Sequence, residues 1–120
     1  MFQPKSLCIK FFMTSLTLSV LTSAYAENSI NCTKAQLPDE QAICRSVELQ
    51  KLDVKMTTLF EVSGHLMAMG SRGAMQDRQY VWLKNRHMCK ANVACLKQSY
   101  SDRIDELNQG LEEIYSRGPF

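Results

Sequence analysis

Four cysteines, Cys32, Cys44, Cys89 and Cys95, fall in two close pairs, with eleven residues inside the first and five inside the second. An even number in so short a chain reads as two disulfides formed in an oxidising compartment. Three connectivities are open, and the tight spacings favour Cys32–Cys44 and Cys89–Cys95. On the chain-entropy model each such loop is worth about 2–3 kcal/mol. That matters because a domain of fewer than about 100 residues buries a limited core and is marginal without staples. Zinc is the competing use of four thiols. Neither spacing forms the C-x2-4-C knuckle that holds zinc, so no metal and no cofactor is expected.

The fifth cysteine, Cys8, lies in what reads as a leader. Lys5 and Lys10 form a basic start, Phe11 to Thr22 an apolar run, and Ala24-Tyr25-Ala26 places small residues at both positions that a signal peptidase reads. Residues 1–26 are therefore expected to be a cleaved signal peptide, and residues 27–120 one folded domain. The apolar run is too short and too rich in Ser and Thr to cross a bilayer of about 30 Å as a helix. No integral membrane span is expected after cleavage. Cys8 precedes the apolar run, which excludes it as a lipoprotein acylation site. The expected location is periplasmic or secreted.

The chain carries 14 basic and 12 acidic residues. Lys5 and Lys10 leave with the leader and no acid does, so the mature domain has twelve of each and is formally neutral. It has no general attraction for nucleic acid or anionic lipid. The expected partner is a protein.

After residue 27 the periodicity is helical and strand-like alternation is absent. Pro38 fits a helix's first turn, with Asp39 and Glu40 favouring its positive end, and that short helix runs to about Cys44. Ser46 can cap a second helix, in which Leu49, Leu52, Asp53, Met56, Leu59 and Phe60 recur at 3–4 spacing. Gly64, Gly70 and Gly73 interrupt the pattern, so a turn is expected within residues 64–73. Met75, Gln79, Trp82, Leu83, Arg86 and Cys89 mark one face of a third helix, and Asn92 the next turn. Leu96, Tyr100, Arg103, Ile104, Leu107, Leu111 and Ile114 align on the last, which Gly118-Pro119 stops. Short connections imply antiparallel neighbours. The expected fold is all-α: an antiparallel three-helix bundle with a short N-terminal helix, stapled by two local disulfides.

Three segments carry a resemblance. They are Ile43-Cys44 with Glu48-Leu49 and Leu52-Asp53; Gln79-x-x-Trp82-Leu83-x-x-Arg86-x-x-Cys89; and Cys95-Leu96-x-x-x-Tyr100-x-x-Arg103-Ile104-x-x-Leu107. Together with Cys32 the chain resembles the family named after the lysozyme inhibitor LprI, small exported cysteine-bearing helical proteins. The resemblance implies an envelope or secreted protein, local pairing of the cysteines, and inhibition of lysozyme. One departure is Leu37-Pro38, where a Thr- or Ser-type helix cap would be expected.

The matching residues read as framework. Trp82, Leu83, Tyr100 and Ile104 are expected core anchors. Arg86 and Arg103 follow their stripes by whole turns and so point inward, where a guanidinium needs an anionic partner. Asp53 is expected to pair with Arg86, Arg103 or both, with Glu48 a further member. No catalytic residues are expected. His65 and His87 have no nucleophile or carboxylate at a recognisable motif spacing, and no phosphate loop, H-E-x-x-H or Gly-x-Ser-x-Gly elbow occurs. The acids of the last helix, Asp102, Asp105, Glu106, Glu112 and Glu113, read as a solvated face that could attract a cationic partner.

The stretch around the turn leaves two readings open. Leu66, Met67 and Met69 either continue the second helix and cap the core, or form an adaptable tip for binding a protein. In the second reading His65, Met67, Met69 and Arg72 are the binding residues, with His65 and Arg72 approaching the paired carboxylates of a lysozyme cleft. The functional expectation is an exported protein that inhibits a lysozyme-type muramidase by occluding its cleft. The alternative is an envelope interaction or immunity protein with a different target.

Overall fold

The computed structural model describes residues 29–118; the expected signal peptide, residues 1–26, lies outside the described residues. Four helices follow one another: α1 Pro38–Arg45, α2 Val47–Leu66, α3 Met69–Met88 and α4 Val93–Ser116. No strand occurs among the described residues. Disulfides join Cys32 to Cys44 and Cys89 to Cys95, with Cα atoms 5.6 and 5.5 Å apart. The thiols that zinc would have needed are thereby oxidised to one another.

The helix ends follow from local chemistry. Leu37 precedes α1 and has no acceptor in its side chain, so only half of a capping box can form. Glu40 supplies that half, its Oε2 accepting from the backbone of Gln36 and Leu37 at 3.0 and 3.1 Å. Pro38 lacks one of the N–H groups that would otherwise need a partner. Ser46 is the whole connection from α1 to α2, and its Oγ accepts from Leu49 N at 3.3 Å. Asn92 does the same for α4, with Oδ1 accepting from Cys95 N at 3.0 Å.

The expected turn within 64–73 is narrower than the glycines imply. α2 continues through Gly64 to Leu66, and α3 begins at Met69, so Gly70 and Gly73 lie inside a helix. Only Met67 and Ala68, both extended, separate the two helices. The other turn contains Lys90 at φ +49°, a left-handed conformation that side chains other than glycine rarely adopt. The Cys89–Cys95 bridge encloses it.

The topology is up-down-up, so α2 and α4 run parallel and α3 runs against both. The parallel pair makes the most extensive contact. Its facing stripes are apolar: Leu49, Leu96 and Tyr100 are fully buried, and Met56, Ile104 and Leu107 nearly so. Burial of side chains of this size stabilises by about 1.5–3 kcal/mol each. α3 presents longer and more polar side chains and reaches across to its neighbours. Gln79 Nε2 meets Met56 Sδ at 3.3 Å, and Trp82 Nε1 donates to the Ser99 carbonyl at 3.0 Å. Trp82 also stands edge-on to Tyr100, ring centres 5.3 Å apart.

Of the four expected anchors, Tyr100 and Ile104 are in the core and Trp82 packs half-buried against it. Leu83 is different. It is half-buried and lines a small hollow beside Ile30, Asn31 and Arg86, because its position on α3 faces the N-terminal segment and not the α2–α4 seam.

Replacing both Cys89 and Cys95 with serine is expected to lower the unfolding free energy by about 2–3 kcal/mol. Urea titration under oxidising conditions measures this, and reductant, which opens both bridges, should lower the stability of the native chain further.

Candidate functional site

Asp53, Arg86 and Arg103 are buried, but the pairing differs from the expected one. Arg86 is 3% exposed, and its Nε donates to Asp39 Oδ2 at 3.0 Å. Its Nη1 donates to the Tyr100 hydroxyl at 3.3 Å, and its guanidinium lies 5.5 Å from the Trp82 ring centre. Tyr100 passes its own proton on, donating to Asp53 Oδ1 at 2.8 Å. Asp53 Oδ2 accepts from the backbone N–H of Ile30 at 2.9 Å. Asp53 therefore reaches Arg86 only through the Tyr100 hydroxyl, which occupies the space between them.

Arg103 is engaged elsewhere, with Nε on Gln79 Oε1 at 2.9 Å and Nη1 on Glu106 Oε2 at 2.5 Å. No hydrogen bond or ion pair joins it to Asp53, because it lies one turn further along α4, level with Gln79 of α3. Glu48 takes no part in the network. It is exposed and pairs with Lys97 at 2.6 Å.

The partner missed in the sequence is Asp39, assigned only a helix-end role there. A signal existed: Asp39 lies three and four residues before Ala42 and Ile43, which places all three on one helix face, and all three are buried. His87, for which no motif spacing offered a carboxylate, joins the network too: its Nδ1 lies 2.8 Å from Asp39 Oδ2. A carboxylate can only accept, so Nδ1 carries the proton.

Burial alone would push the Asp39 carboxyl up. The His87 hydrogen bond and the Arg86 charge together outweigh that and hold it below the usual carboxylate range. Burial likewise pushes the Tyr100 phenol well above its ordinary value, against the pull of Arg86 and helped by the Asp53 charge. Tyr100 thus keeps its proton and remains a donor. Asp39 and Tyr100 are 1% and 0% exposed, so neither presents a reacting atom to a substrate. Among the described residues no group of three His, Cys, Asp or Glu side chains could hold a metal ion.

The surfaces offer more to a partner. At the α2–α3 turn Met69 is 87% exposed and His65 is exposed on the last turn of α2. Met67 is half-buried against the core, and Arg72 folds back to donate from Nη2 to the Met67 carbonyl at 3.3 Å. Of the four residues expected at the tip, His65 and Met69 project and Met67 and Arg72 support the turn. On α4, Asp102, Asp105, Glu106, Glu112 and Glu113 are all exposed. Glu106 and Glu113 are partly neutralised by Arg78 and Arg117 at 3.2 and 3.7 Å.

Comparison with known proteins finds a distant relationship. The chain is 26% identical over 89 residues to the lipoprotein LprI of Mycobacterium bovis, and equally so to LprI of two Mycobacterium tuberculosis strains. The match covers 72% of this chain and 44% of the relatives, so the chain corresponds to less than half their length. No protein-family model matches, and no solved structure does. No helix among the described residues is long and apolar enough to cross a membrane.

The Asp39 geometry makes stability depend on acid. A carboxyl whose folded pKa lies below its unfolded value, 3.8, stabilises the fold above that value. The contribution disappears as pH falls through the lower folded value. Acid titration of circular dichroism should show native stability declining below about pH 4. Asp39→Asn should be less stable at neutral pH and decline less steeply in that window; an unchanged slope would contradict the coupling.

Proposed function

We propose that the chain is an exported binding protein that inhibits a lysozyme-type muramidase by placing its α2–α3 turn in the enzyme's cleft. The reading rests on the LprI-like resemblance, the distant similarity to LprI lipoproteins, the leader at the N-terminus, and a site whose charged residues serve the interior. The observation that carries it is Met69, 87% exposed at the α2–α3 turn, with His65 exposed on the last turn of α2. A flexible thioether can repack against an apolar wall of a cleft. A neighbouring imidazole, when protonated, can approach the carboxylates that catalyse glycoside hydrolysis.

The acidic face of α4 complements this mode. It can draw a cationic enzyme toward the domain although the domain's formal charge is zero, because local fields and not net charge set encounter rates. The relatives are named lipoproteins, whereas here the leader's cysteine precedes the apolar run. Release into the periplasm or medium after signal cleavage is the corresponding proposal for this chain.

Turbidity assays of cell-wall lysis test the proposal directly. Lysis by at least one muramidase should slow as the mature protein approaches equimolar concentration. Met69→Asp combined with His65→Ala should weaken inhibition about tenfold or more, the effect of losing a central contact, without changing the unfolding curve. Undiminished lysis by several muramidases at large molar excess would remove this reading.

A further inference from the structure

The distal half of the bundle is not fully filled. Two adjoining hollows of about 210 and 400 Å³ lie among the C-terminal part of α2, the N-terminal half of α3 and the C-terminal half of α4. They share Met67, Arg78, Gly110 and Glu113. Taken together they reach the size of small-molecule sites, about 300–1,000 Å³.

Gly110 is the first indication that the space is kept open. It lies in the interior of α4, where glycine weakens a helix relative to alanine. Its φ is not positive, and an added Cβ would meet no atom within 4 Å. Neither backbone conformation nor close packing requires glycine there. What its missing side chain preserves is room in both hollows.

Unused hydrogen-bonding capacity is the second. Ser63 and Arg103 line the inner hollow and are 1% and 2% exposed. Ser63 Oγ and Arg103 Nη2 are both buried without a partner, which is costly for groups removed from water. The third is charge. Glu106 serves both Arg103 and Arg78, so two guanidiniums share one carboxylate and a positive charge is left over. Glu113 at the rim is matched by Arg117. The outer hollow adds apolar wall from Leu66, Ala74 and Ile114.

We propose that this groove binds a small aliphatic carboxylate, its head accepting from Arg103 Nη2 and Ser63 Oγ and its hydrocarbon tail lying along Met67 and Ile114. A trapped water could satisfy the two polar atoms. It would not account for the surplus charge, the apolar outer hollow or the glycine that keeps both open. Met67 and Ala68 of the α2–α3 turn line the groove but His65 and Met69 do not, so octanoate binding is read separately from muramidase inhibition.

Isothermal titration of the oxidised protein with octanoate tests the proposal. One saturable site is expected, with 1-octanol at least tenfold weaker for want of the charge and acetate at least tenfold weaker for want of the tail. Gly110→Leu fills the space and should abolish octanoate binding while retaining or raising the thermal unfolding midpoint. Ser63→Ala should weaken binding severalfold. Absence of saturable heat with octanoate, equal binding of octanol, or undiminished binding by Gly110→Leu would each overturn the assignment.

Discussion

A guanidinium sealed inside a small helical protein must be answered by nearby groups, and the arrangement of this molecule follows from how Arg86 is answered. An uncompensated charge in that position costs several kcal/mol, more than most single contacts contribute. Arg86 on α3 is met by Asp39 on α1 and by the Tyr100 hydroxyl on α4, and Tyr100 is met by Asp53 on α2. Asp53 in turn holds the Ile30 backbone. One connected set of polar atoms therefore touches every helix and the N-terminal segment. The order of donors and acceptors is fixed, because Tyr100 gives its single proton to Asp53 and so can only accept from Arg86.

The disulfides make this interior affordable in so small a domain. Cys32–Cys44 ties the segment bearing Ile30 to the end of α1, near the acid that faces Arg86. Cys89–Cys95 closes the turn between the helices bearing Arg86 and Tyr100. Each bridge lies close in sequence to a member of the network, so both restrict the unfolded chain near the groups whose positions matter most.

Helical phase made much of this legible. The spacing of Leu49, Met56, Leu96, Ile104 and Leu107 gave the apolar stripes of α2 and α4, though not that these two helices pair most closely, and the inward phase of Arg86 and Arg103 required buried partners. Periodicity does not rank potential partners, however. Asp53 lay in a stripe and was chosen, while Asp39 lay in an eight-residue helix whose first-turn acids have a second explanation in the helix dipole. The Tyr100 hydroxyl was hidden by the ring's role as an anchor. The glycines at 70 and 73 misplaced the turn's breadth, since local propensity yields to packing within a helix. The tip at His65 and Met69 lay open to two readings because exposure is decided by where a turn falls, to within one residue. The empty space beside Gly110 left no sequence signal, since the stripe runs on through Leu111 and Ile114.

The residues that carry the resemblance to LprI-like proteins, Trp82, Arg86, Cys89, Cys95, Tyr100 and Arg103, are thus mostly those that hold the bundle together. Similarity in these positions transmits a scaffold. A double-mutant cycle on Asp39→Ala and Arg86→Met, read by urea unfolding, tests the internal strut most directly. A connected strut predicts that the double variant retains about 1–3 kcal/mol more stability than the sum of the two single losses allows. Strictly additive losses would contradict it.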